Sequence, residues 1–180
     1  MTANVDFTPF LTAEAAGTPC SPTTTTSSTS TTSSTSTSTS IPGTLNVTRV
    51  RVADGGPSNG SIRLRGDFVT PPAFATPPPI TLRVQDALTL DVTHVYATCT
   101  TVGGRIRCAD SVGGTFRANF NPLSTNPGVY RFKASFKKIT VTAPFSGPVT
   151  VTLLHDSLVV RTDMISACRQ TSTGLACREP

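Results

Sequence analysis

The sequence predicts an all-β chain, an antiparallel β-sandwich of about nine or ten short strands occupying residues 42–180. Three observations carry this. Apolar and polar residues alternate with a period of two along most of that stretch. Four cysteines form two pairs of identical spacing, and no window offers the 3.6-residue apolar stripe of an amphipathic helix.

The chain begins with 22 residues of no evident structure and continues as Thr23–Ser40, an unbroken run of Ser and Thr. Nothing in that run can be buried, so residues 1–22 read as a disordered segment and 23–41 as a flexible linker. As a Gly/Ser-type coil the run spans about 25 Å r.m.s.. Its composition resembles that of linkers tethering the modules of secreted proteins. Met1 to Cys20 has neither the basic start nor the apolar core of a secretory signal, so either the start is not the natural one or the chain is the C-terminal piece of something longer. The roughly 140 residues that follow are enough for one domain to bury its own core.

The first strands are marked by Val50 and Val52 between arginines, then by Ile62, Leu64 and Phe68, with a turn at Gly55-Gly56-Pro57. A proline loop, Pro71 to Pro79, leads to Ile80, Leu82 and Val84, and a turn at Asp86-Ala87 follows. Phe116, Ala118 and Phe120 mark a later strand. Asn126-Pro127-Gly128 is a turn before Tyr130, Phe132, Ala134 and Phe136. Val149, Val151 and Leu153 form the next inward series, and Leu158 and Val160 are assigned inward beyond a turn at Asp156-Ser157. The alternation slips between Val47 and Val50, between Val92 and Val95, and between Phe136 and Ile139, each slip implying a bulge or a change of sheet.

The cysteines are the sharpest signal. Cys99 and Cys108 flank Gly103-Gly104, a two-residue turn whose positions both accept positive φ. Folding there sets Cys99 opposite Cys108 as a non-hydrogen-bonded pair, the closest approach in an antiparallel ladder and the separation a disulfide needs. Cys168 and Cys177 repeat this about Ser172-Thr173, with a bulge at Gly174 as the alternative register. Zinc sites favour ligands two to four residues apart, so disulfides are expected and metal is not. An oxidising compartment follows, extracellular or at a cell envelope. Cys20 is left over, available to another chain or to upstream sequence.

The two cysteine pairs lie 69 positions apart, and the same offset superposes Ile80–Val84 on Val149–Leu153. With one residue of slack, Arg63–Phe68 falls on Arg131–Phe136. An internal duplication is therefore expected, with repeats at 61–110 and 129–179, each ending in a disulfide-linked hairpin.

All fifteen Lys and Arg lie at Arg49 or later, against eight Asp and Glu over the same span, a net charge of +7. Arg49, Arg51, Arg63, Arg65, Arg105, Arg107, Arg131 and Lys133 occupy the polar phase of their strands. Sharing one sheet, they would form a basic surface suited to a polyanion. Arg65-Gly66-Asp67 spells an adhesion tripeptide but falls mid-strand, where recognition as a protruding loop is not expected. Asn46-Val-Thr48 and Asn59-Gly-Ser61 match the N-glycosylation pattern. His94 exchanges with Asp163, and His155 with Asp86, under the 69-residue offset; the two histidines are read as exposed-strand positions that need not approach each other. No nucleophile elbow, phosphate loop or paired-His motif accompanies them, and no cofactor is implied.

The functional expectation is a non-catalytic secreted or cell-envelope module, structural or adhesive, displayed on a tether and meeting a cell-surface component or an anionic polymer. Polyanion binding through the arginine faces is the second reading. An enzyme using His94 or His155 is the third.

Overall fold

Antiparallel pairing accounts for every strand among the described residues. The computed structural model describes residues 44–70, 79–155 and 159–180, all belonging to one compact unit, Ser38–Pro180. The N-terminal segment, the Ser/Thr run, Cys20, most of the proline loop and the turn at Asp156-Ser157 lie outside the described residues.

Twelve strands are present among the described residues: β1 (Leu45–Ala53), β2 (Gly60–Val69), β3 (Ile80–Gln85), β4 (Asp91–Tyr96), β5 (Cys99–Val102), β6 (Arg105–Asp110), β7 (Thr115–Pro122), β8 (Val129–Ile139), β9 (Val149–His155), β10 (Val159–Ile165), β11 (Cys168–Thr171) and β12 (Gly174–Arg178). The count exceeds the expected nine or ten, and β5 and β11, the outer arms of the two expected hairpins, are four residues each.

The strands form an eight-stranded sheet, in the order β11-β12-β1-β2-β8-β7-β6-β5, and a four-stranded sheet, in the order β10-β9-β3-β4. Both orders read the same from either end once β2 is matched with β8, β3 with β9, β4 with β10, β5 with β11, β6 with β12 and β7 with β1. The register keeps the match at the centre: Arg83 pairs with Thr152, 69 positions on, and Arg65 pairs with Lys133, 68 positions on. An approximate two-fold axis thus passes between β3 and β9 and between β2 and β8. The first strand of the chain completes the second half.

The inner faces interlock as alternating patterns should. Val50, Ile62, Leu64, Phe68, Ile80, Leu82, Phe120, Phe132, Phe136, Val149, Val151 and Leu153 are buried. Phe68 meets Phe120 edge-on at 5.9 Å, while Phe116 meets Phe136 at 5.3 Å. Fully burying each such side chain stabilises the domain by about 1.5–3 kcal/mol.

Two of the three expected slips are bulges. One lies between Val47 and Arg49, with Thr48 the extra residue, and one lies in β8 at Lys138, at φ 56°. The third is not. Around Val92 and Val95 the β3/β4 ladder is regular, so Val95 faces outward and is 49% exposed, while His94 takes the inward slot. Val160 likewise faces outward, contrary to the sequence assignment, and is 64% exposed. Among the described side chains of β10, Arg161 and Ile165 are buried, with Asp163 half-buried between them.

Candidate functional site

Both expected disulfides are formed. Cys99 and Cys108 stand opposite each other with Cα atoms 4.3 Å apart, and Cys168 and Cys177 do so at 4.0 Å. The first hairpin turns at Gly103 and Gly104, both at positive φ. The second turns at Ser172-Thr173, since Thr171 pairs with Gly174 and no bulge intervenes. Bonds of this kind form and persist in oxidising environments, which they suggest for this domain.

The eight basic residues singled out from the sequence all lie on the eight-stranded sheet, on its outer face. The register draws them into rows that run across the strands. One row reads Arg178, Arg49, Arg65, Lys133, Asn119, Arg107 and Thr100 on seven successive strands. A second reads Arg169, Ala176, Arg51, Arg63, Ser135, Arg117 and Ala109. In a third, Asp67 stands opposite Arg131, which stands opposite Asn121. Ten of the twelve arginines of the chain belong to this face; the remaining two, Arg83 and Arg161, are on the smaller sheet.

Arg117, Arg169 and Arg178 were not singled out from the sequence. Arg117 carried the right signal, sitting between the inward Phe116 and Ala118. Arg178 did not, because only the pairing of β12 with β1 brings it beside Arg49.

Within the row, Arg49 faces Arg65 and Arg178 directly, and Arg65 faces Lys133. Like charges opposite one another on neighbouring strands oppose pairing. The effect registers on Arg49, whose guanidinium is held below its ordinary value first by Arg51, then by partial burial, then by Arg65 and Arg178. Among the described residues none of these cations has a carboxylate within ion-pair distance. The arginine on the outer face of the smaller sheet is treated differently: Arg83 holds Asp91 at 2.6 Å, and that contact raises Arg83 and lowers Asp91.

Four hollows lie in the basic face among the described residues; one beside Arg105 and Arg107 and a small one among Arg49, Arg51, Arg63 and Arg65 hold no carboxylate, and the other two do. One, of about 390 Å³, is lined by Thr48, Arg49, Arg65, Arg178, Glu179 and Pro180. The other, of about 380 Å³, is lined by Thr48, Arg65, Gly66, Asp67, Arg131, Phe132 and Lys133. The bulge residue Thr48 belongs to both, and its hydroxyl donates to the carbonyl of Arg65 at 3.2 Å. Gly66 is required here, because a Cβ would collide with the carbonyl of Asn46 and the ring of Phe132. The Arg65-Gly66-Asp67 tripeptide is therefore locked inside β2, paired on both sides.

The histidines are not exposed, as the sequence reading had them. His94 lies parallel on Phe116, centroids 3.7 Å apart, with Tyr96 edge-on at 4.6 Å. Its Nε2 is 3.5 Å from an Asp110 oxygen. Burial lowers its pKa, partly offset by Asp110, so the neutral ring is the form that packs. The Tyr96 hydroxyl is pushed well above its ordinary value, again by burial first. His155 is buried on β9, and β3 runs between β9 and β4, two strand spacings of about 10 Å in all. The two histidines share no site. Among the described residues no group of three or more His, Cys, Asp or Glu is arranged to hold a metal, and no helix is long and apolar enough to cross a membrane.

Arg161, unremarked in the sequence, is 3% exposed. It lies over Phe68 at 5.4 Å and donates from Nε to the carbonyl of Val69 at 3.2 Å. Burial holds its pKa below the ordinary arginine value.

Fold and face together define a disulfide-pinned β-sandwich with one strongly cationic outer surface. No family model matches the chain, and neither a curated protein nor a solved structure matches it.

Proposed function

We propose that the chain is a non-catalytic extracellular or cell-envelope module, structural or adhesive in role, that attaches to an anionic polymer through the outer face of its eight-stranded sheet. The observation that carries this reading is the row from Arg178 to Lys133, four cations on four adjacent strands with no ion-paired carboxylate among the described residues. Such a row opposes the pairing it sits on, and a bound polyanion relieves that cost. The disulfides support secretion or envelope export, and the Ser/Thr run fits a tether. The palindromic strand orders and near-constant offset support descent from a duplicated half.

The test compares two double variants of equal net charge. Arg49→Ala with Arg65→Ala removes two charges from the basic face, and Thr93→Glu with Thr162→Glu adds two opposing charges on the smaller sheet. The native chain is expected to bind dextran sulfate at low salt and to release it by about 1 M, where the screening length falls to about 3 Å. The arginine variant should bind at least tenfold more weakly, while the threonine variant stays within about twofold of native. Equal weakening of both variants would assign the binding to net charge alone and sink the proposal.

A further inference from the structure

Resting on that reading, we infer that the polymer is an acidic polysaccharide carrying a charge on each sugar ring, laid across the strands along Arg178, Arg49, Arg65 and Lys133. Three features of the face bear on this choice. The first is spacing. These four residues stand on consecutive strands, whose backbones are about 4.8 Å apart, a step close to the length of one pyranose ring in an extended glycan. A polyuronate thus meets a fresh cation at each sugar.

The second feature is the absence of a stacking platform. Single-stranded nucleic acid is held by aromatic side chains on which successive bases lie. Among the described residues the aromatic rings are turned the other way: Phe68, Phe116, Phe120, Phe132, Phe136, Phe145 and Tyr96 are buried, and Tyr130 stacks on Phe68 at 5.7 Å. Sequence-specific reading of a duplex needs an element that enters its groove. The paired strands of this face provide none.

The third feature is the pair of carboxylates set among the cations. Glu179 lines one hollow and Asp67 another. A polyphosphate or DNA backbone brings only acceptors and is repelled by them. A glycan brings hydroxyl donors as well as anions, and a carboxylate beside the cation row accepts those hydroxyls. Basic residues for the acid groups and acidic residues for the ring hydroxyls form a two-sided chemistry that fits a sugar acid.

The experiment measures affinity of the full chain for polygalacturonate, a mixed-sequence DNA duplex, oligo-dT and inorganic polyphosphate at one salt concentration. Polygalacturonate is expected to bind at least tenfold tighter than the other three. In the double variant Asp67→Asn with Glu179→Gln, polygalacturonate binding should fall about fivefold while duplex and polyphosphate binding rises. That opposite response cannot come from partial unfolding, which would weaken every ligand. The single variant Glu179→Gln, at an exposed position beyond β12, should show the same opposition at smaller size if the double variant folds poorly. Tighter binding of DNA or polyphosphate than of polygalacturonate, or a rise in all four affinities in the variant, overturns the glycan inference and leaves polyanion binding standing. Failure to bind any of the four, or dextran sulfate, removes both.

Discussion

At His94, in β4, the seam between the two sheets is closed by an aromatic stack on Phe116. At the corresponding place in the other half, in β10, it is closed by a hydrogen bond: Asp163 accepts the Val47 N–H at 2.6 Å, on the flank of the β1 bulge. One position before the preceding outward residue, Val92 packs against the core, whereas its counterpart Arg161 lays its guanidinium over Phe68. At the ends of β3 and β9 the exchange recurs. Asp86 accepts the N–H groups of Leu88, Leu90 and Ser146, where the other half has a buried His155. Main-chain pairing is indifferent to these exchanges, so the two halves keep matching registers. The seam accepts both apolar stacking and hydrogen bonding, although the His94 Nε2, the Tyr96 hydroxyl and the Arg161 Nη1 are buried without a hydrogen-bond partner among the described residues.

The comparison can be pressed hardest in the core. Phe136→Ala and Phe68→Ala remove equivalent, fully buried rings and should each cost about 3–5 kcal/mol in urea unfolding. Phe68→Ala is expected to be the worse, since it also removes the surface on which Arg161 lies. Equal losses would show that the guanidinium draws nothing from that ring.

Opening the disulfides probes what the halves share. Each closes a loop of the same length, so replacing either pair by alanine should cost about 2–3 kcal/mol, alike in both halves. A difference above about 1.5 kcal/mol, read from denaturant midpoints of the two double variants, would make one hairpin structurally dominant.

The hydrogen-bonded seam should be the more fragile under truncation. Asp163→Ala strands the Val47 N–H and should cost about 1–3 kcal/mol. Asp163→Asn, which still presents an oxygen, should recover most of that loss in a thermal melt.

The stacked seam answers to acid instead. His94 has a folded pKa below its unfolded value, so the unfolded chain binds the proton first. Its contribution is constant above the unfolded value of about 6.5, and stability declines as pH falls from there through the lower folded value. Asp110 and Asp54, both lowered by backbone N–H donors, lose their contributions only in the carboxylate range below about pH 4. A His94→Phe variant should therefore lack the decline that begins near pH 6.5 and keep the acid loss. A native-like decline in that variant would move the effect elsewhere.

The period of two and the repeated cysteine spacing made the sandwich, both hairpins and two bulges legible, because each is a local rule: a pleat, a tight turn, an extra residue. The eight basic positions were legible for the same reason, since an arginine next to an inward valine must face outward. Their assembly into rows was not, because strand order is set by contacts far apart in the chain, such as β12 against β1. The outer strands of the small sheet misled in a further way. Val95 and Val160 read as inward from hydrophobicity alone, but His94 and Arg161 have rings and stems that fill core space, with the His94 Nε2 near Asp110 and the Arg161 Nε on the Val69 carbonyl, while the Arg161 Nη1 is buried without a hydrogen-bond partner among the described residues. An inward polar residue of that kind breaks the pattern on which the sequence argument rests.

The outermost strands of the large sheet, β5 and β11, are also the covalently bridged hairpin arms, each four residues long. A strand that short offers a neighbour's backbone little ladder to extend, and the bridge keeps it from peeling away to lengthen the free margin. On the small sheet the margins carry His94, Arg161 and Asp163 on their inner side, which an incoming strand could not readily reproduce. Short or inwardly charged margins of this sort discourage edge-to-edge polymerisation. Copies of the domain brought together at high concentration are thus equipped to stay separate molecules rather than knit into a fibril.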